Sequence, residues 1–405
     1  MNMRFQPETS PLRRATSLFF LCLLALPLIG VGNSVAAQNA RRVACTYCKD
    51  KGQMPCKKHS KVELALETDG TVHFCTEAAK CKTCGGTLFV DCTHCENADV
   101  ESKLESRRER IQKWYAARKK KVDDLVKHPV LQASGEHVDL AWDLKPMKVG
   151  RKKLSSHEML HLYVKRMEDL RADFVKRLQI SSAEQPARVE LFCWRDARDQ
   201  FLAAHKFAGQ GSQGAGIKYM GSTAIYTMMY KKKDYKNDED LHRSMVHNTV
   251  HLLLANMTPS RWIGQLKGGW IDEGIAHYFE YLLDGECSTR CFQEVMTDVN
   301  FKPGKWLVPI RRKVVSGRLP IFAEVIQKNT DQFDGIEHLM VFSYVHYLFE
   351  GDLVDKNHGK EFVRLVRVLK EKKPAREALR KVYSLSPVRF EEKWKAWVQA
   401  TYPAR

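Results

Sequence analysis

Two blocks of apolar residues at helical spacing dominate the middle of the chain. In LHRSMVHNTVHLLLANM (241–257), Val246, Val250, Leu253 and Leu254 recur every three or four positions, and in GGWIDEGIAHYFEYLL (268–283), Trp270, Ile275, Ala276 and Phe279 do the same. That recurrence gathers the apolar side chains on one face and predicts two half-buried helices. From 187 the pattern predicts a strand (ARVELFCW), a helix from Arg195 to Lys206, and two short strands around GIKYM and TAIYTMMY. Beyond Gly285 it is helical, through HLMVFSYVHYLF (338–349), a Lys- and Arg-rich stretch and RFEEKWKAWVQATYP. Earlier, residues 101–127 read as a charged helix with a partial stripe of Leu104, Ile111, Trp114 and Tyr115, stopped by His128-Pro129. Another helix starts at Ser155, where Glu158 can close a capping box, and runs to Leu178. The predicted fold class is α+β, a small twisted sheet with a helical bundle.

Chemistry enters through histidine. His247 and His251 stand one turn apart on one helix face, the spacing at which two imidazoles share a tetrahedral zinc, and Glu273 lies in the first turn of the next helix. Two His and one Glu leave a fourth position open, as catalytic zinc requires. His pairs on half-buried helices are commonly ordinary packing residues; the acidic second helix at suitable separation favours the metal. On His247, His251, Trp270, Glu273, Gly274 and Ala276 the stretch resembles the gluzincin metallopeptidases, which carry HExxH and a downstream W-x-x-E-G-x-A helix. The resemblance implies His247, His251 and Glu273 as zinc ligands in a zincin-type domain. The chain departs from the family pattern in a longer interval between His251 and Glu273 and in Asn248, which replaces the general-base Glu. An amide takes no proton from an attacking water near neutral pH, and a general base contributes about 10²- to 10⁴-fold in rate. Asp272, Glu280 and Glu158 are the substitute bases to consider. His338 stands where such relatives commonly carry a Tyr and can hydrogen-bond a developing oxyanion, while Tyr344 and Tyr347 read as packing residues. The helices after 338 are similar to those closing peptidase-MA-like gluzincins, so the resemblance spans about residues 187–402, and an edge strand of such a sheet can hold an extended peptide.

A second motif competes. Residues 157–161 read HEMLH, a complete HExxH with Glu158 in the base position. No W-x-x-E-G helix follows it at gluzincin distance, and the candidate third ligands Glu184 and Glu190 fall in a Pro-containing loop and a strand. It is an accident, a rival zinc site, or a neighbour that lends Glu158 to the first site.

Residues 45–95 hold eight of the twelve cysteines. CTYCKDKGQMPCKKH and CKTCGGTLFVDCTHC repeat one pattern, placing Cys45, Cys48, Cys56 and His59 against Cys81, Cys84, Cys92 and Cys95. Paired C-x2-C knuckles turn two thiolates to one metal, so eight ligands imply two closed, structural zincs. The stretch resembles the cysteine-rich zinc module of DnaJ-type chaperones, with Gly52, Gly85 and Gly86 echoing its glycines. The spacing leaves open whether each zinc belongs to one repeat or is shared, and disulfides are the alternative in an exported chain. Cys75, on a predicted strand between the repeats, is a possible substitute ligand; Cys193 reads as a core residue; Cys287 and Cys291, one turn apart, could pair or stay reduced.

Length 405 and net charge +18 complete the picture. Arg13-Arg14, the apolar run Leu18–Val31 and Ser34-Val35-Ala36-Ala37 have the layout of a secretory signal peptide, which predicts export to the periplasm, the cell surface or the medium. The run is shorter than the ~20 residues that span a bilayer. Lys and Arg are spread along helices among Asp and Glu, which predicts solvated faces rather than specific nucleic-acid binding. The run Gly209–Gly216 lacks the Lys-Ser/Thr of a phosphate loop and reads as a rim. The expected organisation is a signal peptide at 1–37, a double-zinc module at 41–98, a charged helical connector at 101–180 and a gluzincin-like domain at 187–402. With Asn248 at the base position, the expected function is a zinc-binding, altered or degenerate peptidase that holds a peptide or protein partner. The alternatives are a non-catalytic zinc-stabilised scaffold and an active peptidase using another carboxylate.

Overall fold

The run Val189–Trp194 is buried at every residue because its sheet is covered on both faces. Leu191 and Cys193 enter the main core, whereas Phe192 and Trp194 enter a second cluster with Val122, Val126 and Ala203. The computed structural model describes residues 45–95, 97–209, 216–219, 223–231, 235–289, 302–354 and 357–405. The signal-peptide expectation, the middle of the glycine-rich run and Cys291 therefore lie outside the described residues.

In chain order the cysteine-rich segment contributes β1 (Gln53–Pro55), α1 (Lys61–Glu67), β2 (Phe74–Cys75), α2 (Thr76–Ala79) and β3 (Phe89–Asp91). Helix α3 (Ala98–Arg118) continues through a π turn into α4 (Asp124–Val126), followed by β4 (Leu131–Ser134), β5 (Val138–Trp142), the hairpin β6 (Met147–Val149) and β7 (Lys152–Leu154), and α5 (Ser156–Leu178). Then come β8 (Val189–Trp194), α6 (Ala197–Ala208), β9 (Gly216–Tyr219), β10 (Ala224–Met229), α7 (Asp238–Asn256) and α8 (Gly269–Asp284). Helices α9 (Leu307–Ser316), α10 (Phe322–Val325), α11 (Gly335–Glu350), α12 (His358–Lys370), α13 (Ala375–Tyr383) and α14 (Pro387–Thr401) complete the chain.

The class is mixed α and β. The main sheet has the order β2-β4-β5-β8-β10-β9, with β5, β8 and β10 parallel and the outer strands antiparallel. Two parts of the expected organisation need correction. Residues 131–142 are not helical connector but two strands of this sheet, built from the short apolar segments LQAS and VDLAW around a turn at Gly135. The cysteine-rich segment is not detached either: its β2 pairs with β4, Cys75 opposite Ala133, and so forms the outermost strand. Short segments beside charged helices carry too little periodicity to announce a strand.

Helix α7 is fixed at both ends. Asn237 caps it by accepting from the Asp240 amide, and Asp238 receives both Arg166 nitrogens at 2.8 Å and the Tyr163 hydroxyl at 2.9 Å. At the other end the Lys370 ammonium donates to the carbonyls of Leu254 (2.8 Å), Ala255 (3.2 Å), Met257 (2.6 Å) and Pro259 (3.0 Å), meeting the negative end of the helix dipole. Helix α8 lies between α7 and α11, and α11 is buried on nearly all sides, with Tyr344 and Tyr347 in the core as expected. Cys193 is likewise fully buried.

Gly274 permits the α8–α11 crossing, because a Cβ there would overlap the Val341 carbonyl and Val345 Cγ2. Gly274→Ala is expected to lower stability by about 1–3 kcal/mol through overpacking against backbone, read as a reduced denaturation midpoint. His346, on α11, hydrogen-bonds through Nδ1 with the Tyr402 hydroxyl at 2.9 Å among Phe342 and Trp397. Burial pushes its imidazole down from 6.5 to about 4. The unfolded chain therefore binds this proton first, and stability falls as pH drops from 6.5 towards 4, by on the order of 2–3 kcal/mol. Urea titrations across that window should give a shallower pH dependence for His346→Gln than for the wild type; parallel curves would contradict this.

Candidate metal centres

The eight knuckle ligands sort into two groups, each drawing one knuckle from each repeat. Cys45 and Cys48 meet Cys92 and Cys95, while Cys56 and His59 meet Cys81 and Cys84. The antiparallel pair β1–β3, with Met54 opposite Val90, brings the repeats together and so fixes the sharing that the spacing left open. The Sγ atoms of Cys45 and Cys92 are 3.8 Å apart, those of Cys48 and Cys95 3.3 Å, and those of Cys56 and Cys81 3.9 Å. These separations are far beyond a disulfide of about 2.05 Å. They suit a tetrahedron with metal–sulfur bonds of about 2.3 Å, whose edges are about 3.8 Å. The backbone amides of Cys48 and Tyr47 lower the Cys45 thiol to about 7. At Cys81 burial opposes the shift, but the amides of Cys84 and Thr83 prevail and give about 7 as well. Both groups could hold a metal ion.

The second region is the contact of α7 with α8. His247, His251 and Glu273 come together with all three side chains essentially shut from water. The two Nε2 atoms are 3.1 Å apart and lie 3.6 and 3.2 Å from the Glu273 carboxylate oxygens. Each ring also presents its Nδ1 to a second carboxylate: His251 to Asp272 at 3.1 Å and His247 to Glu280 at 3.4 Å. Inner nitrogens facing a common point, with outer nitrogens backed by carboxylates, is the arrangement that orients imidazoles around a metal. Burial holds the His247 ring down at about 4, keeping it neutral as a ligand must be.

Two more histidines complete the cluster. His277 Nε2 and His338 Nδ1 each lie 3.2 Å from Glu273 Oε1 and 3.1 Å from one another. His277 Nδ1 is 3.0 Å from Glu280. Burial opposes charge on His277, but its contacts to Glu273 and Glu280 raise it above its ordinary value. Three carboxylates buried with four imidazoles call for compensating positive charge; a dication together with one imidazolium supplies three units.

The proposed bases fall in different places. Asp272 accepts from Trp262 Nε1 at 2.7 Å and Thr330 Oγ1 at 3.2 Å while facing His251, so it is a backing carboxylate. Glu280 accepts from the Thr289 amide at 2.9 Å and backs His247 and His277. Glu158 caps α5, accepting from the Ser155 amide at 2.7 Å and from the Ser155 hydroxyl at 2.8 Å. Asn248 donates to the Ser244 carbonyl at 2.9 Å and accepts from Lys218 of β9 at 3.2 Å. His338, expected as an oxyanion donor, lies in the cluster beside Glu273. His277 and Lys218 did not stand out, although His277 sits four residues after Glu273 on the same helix face.

Comparison with protein-family models and with curated proteins finds no match for this chain.

The knuckle pairing predicts which losses coincide. Cys48→Ser and Cys95→Ser should each remove one metal, and the double variant still only one. Cys48→Ser with Cys84→Ser should remove two. Metal-to-protein ratios by inductively coupled plasma mass spectrometry decide it, and a two-metal loss in Cys48→Ser/Cys95→Ser would reject cross-repeat sharing.

Proposed function

We propose that this protein is an exported zinc-binding protein with a gluzincin-like domain whose centre binds rather than hydrolyses. The carrying observation is the buried convergence of His247, His251 and Glu273 with Asp272 and Glu280 behind the rings. A zinc tetrahedron with bonds of about 2.0–2.1 Å to nitrogen and oxygen has edges of about 3.4 Å, which fits the 3.1 to 3.6 Å separations between these donors. Zinc is also the ion best suited to the cysteine-rich pairings, where four thiolates in one group and three thiolates with one imidazole in the other supply all four ligands, in keeping with the resemblance to the DnaJ-type module. In a peptidase, bound zinc polarises the scissile carbonyl and acidifies water.

Two features argue against that use here. The base position holds a carboxamide, engaged by Ser244 and Lys218, that has no proton-accepting capacity near neutral pH. His277 and His338 crowd the Glu273 side of the centre, where a catalytic site would leave a position for substrate. What the scaffold offers is a strand, β9, outermost in the sheet among the described residues and bonded through Lys218 to Asn248 in the middle of α7, able to take an extended peptide by main-chain pairing. A peptide or protein partner held but not cut is the function these features favour. Among the described residues no helix is long and apolar enough to cross a membrane; the proposal of export rests on the signal-peptide layout of the sequence.

The test compares the full-length wild type with His251→Ala and Asn248→Glu. His251→Ala should carry one zinc fewer than the wild type. The wild type should not cleave an unfolded casein substrate, whereas Asn248→Glu gains any activity the scaffold still supports. Chelator-sensitive cleavage by the wild type would sink the binding-only reading, and an unchanged zinc count in a folded His251→Ala would sink the centre itself.

A further inference from the structure

The second HExxH is not absorbed by any of this, and its geometry repeats that of the first. His157 and His161 on α5 have ring centroids 4.9 Å apart with an interplanar angle of 73°; for His247 and His251 on α7 the values are 4.8 Å and 72°. The partner that completes the pair is neither Glu184 nor Glu190. It is Cys75, at the end of β2, whose Sγ lies 3.4 Å from His157 Nε2. The donor atoms of Cys75, His157 and His161 all lie within 4.8 Å of one another.

We propose that Cys75, His157 and His161 form a further zinc site. A thiolate and an imidazole on one tetrahedral zinc stand about 3.6 Å apart, given bonds of about 2.3 and 2.0–2.1 Å, close to the separation found here. The donor set suits a borderline-soft ion, and zinc accepts one thiolate with two imidazoles. Cys75 and His161 are buried, and His157 is only partly so, in the first turn of α5. Three protein ligands leave one coordination position for water or an external ligand at that partly open end. Glu158, the base in a peptidase reading of the motif, is committed to the Ser155 cap, so this HExxH is a ligand pair without a base.

The site has a structural consequence. Cys75 belongs to the outermost strand, and the histidines belong to the helix packed on β4 and β5. Zinc here adds a coordinate tie between the cysteine-rich segment and the main core to the β2–β4 pairing, the Gln132–Thr76 hydrogen bond and the packing of Val72 and Leu88. The site shares no ligand with the His247 centre and stands or falls without it.

The experiment uses the full chain. Zinc content is measured for the wild type, Cys75→Ser, His157→Gln and the double variant. Each single variant should carry one zinc fewer than the wild type, and the double variant also only one fewer. Unchanged counts in single variants with wild-type circular dichroism overturn the proposal, as does recovery of copper rather than zinc at this site. Should a variant fail to fold, cadmium-113 NMR of the cadmium-loaded wild type decides. The shift is graded by thiolate number, so a one-thiolate site is separate from the three- and four-thiolate knuckle sites and from the thiolate-free His247 centre. A resonance in the one-thiolate region supports the site, and its absence overturns it.

Discussion

Everything around α7 and α8 follows from the need to keep three carboxylates and four imidazoles together away from water. Unscreened charge of that density is costly to bury, and it is tolerated only when each group has an opposite partner at close range. Asp272, Glu273 and Glu280 each face at least one ring nitrogen, and the imidazoles meet one another edge-on or tilted rather than stacked. The surroundings are correspondingly rigid. Arg166 and Lys370 pin the two ends of α7, Gly274 lets α11 close over α8, and Trp262 and Thr330 hold Asp272 in register.

Much of this was legible in the sequence, for reasons that also explain the omissions. The helices of the His247 and Glu273 stretches are long with apolar residues at helical spacing, so their existence could be read from the sequence, whereas their burial on nearly all sides, rather than on one face, could not. The strand–helix–strand–strand order from Val189 to Met229 was legible for the same reason. β4 and β5 were not, because strands of four and five residues beside charged helices leave no lasting alternation. Ligand identity could be read from spacing within one helix, as with His247 and His251. It could not be read across distant segments: nothing in the order of residues says that Cys75 meets His157, or that Lys218 reaches Asn248. The surroundings of the candidate bases were hidden for a related reason. Asp272 and Glu280 are near the site, but their other hydrogen bonds commit them to orienting rings.

The two cysteine groups show how a tandem repeat differs from a tandem pair of sites. Each knuckle keeps its local turn, yet each group of four side chains that could hold a metal draws on both repeats through β1 and β3. This makes the segment cooperative over its whole length, with little apolar core of its own to fall back on.

The position of β2 has one more consequence. A sheet edge with open amides and carbonyls is a template for other chains, and proteins protect such edges by covering them. Here the cover for β4 is a strand of only two residues, Phe74–Cys75, delivered by a segment whose thiols and His59 gather in two groups that could hold a metal. Because Val72, Ala78 and Leu88 of the same segment also pack in the main core, its release would open that core together with the β4 edge, so integrity of the sheet edge and of the core are coupled to the cysteines.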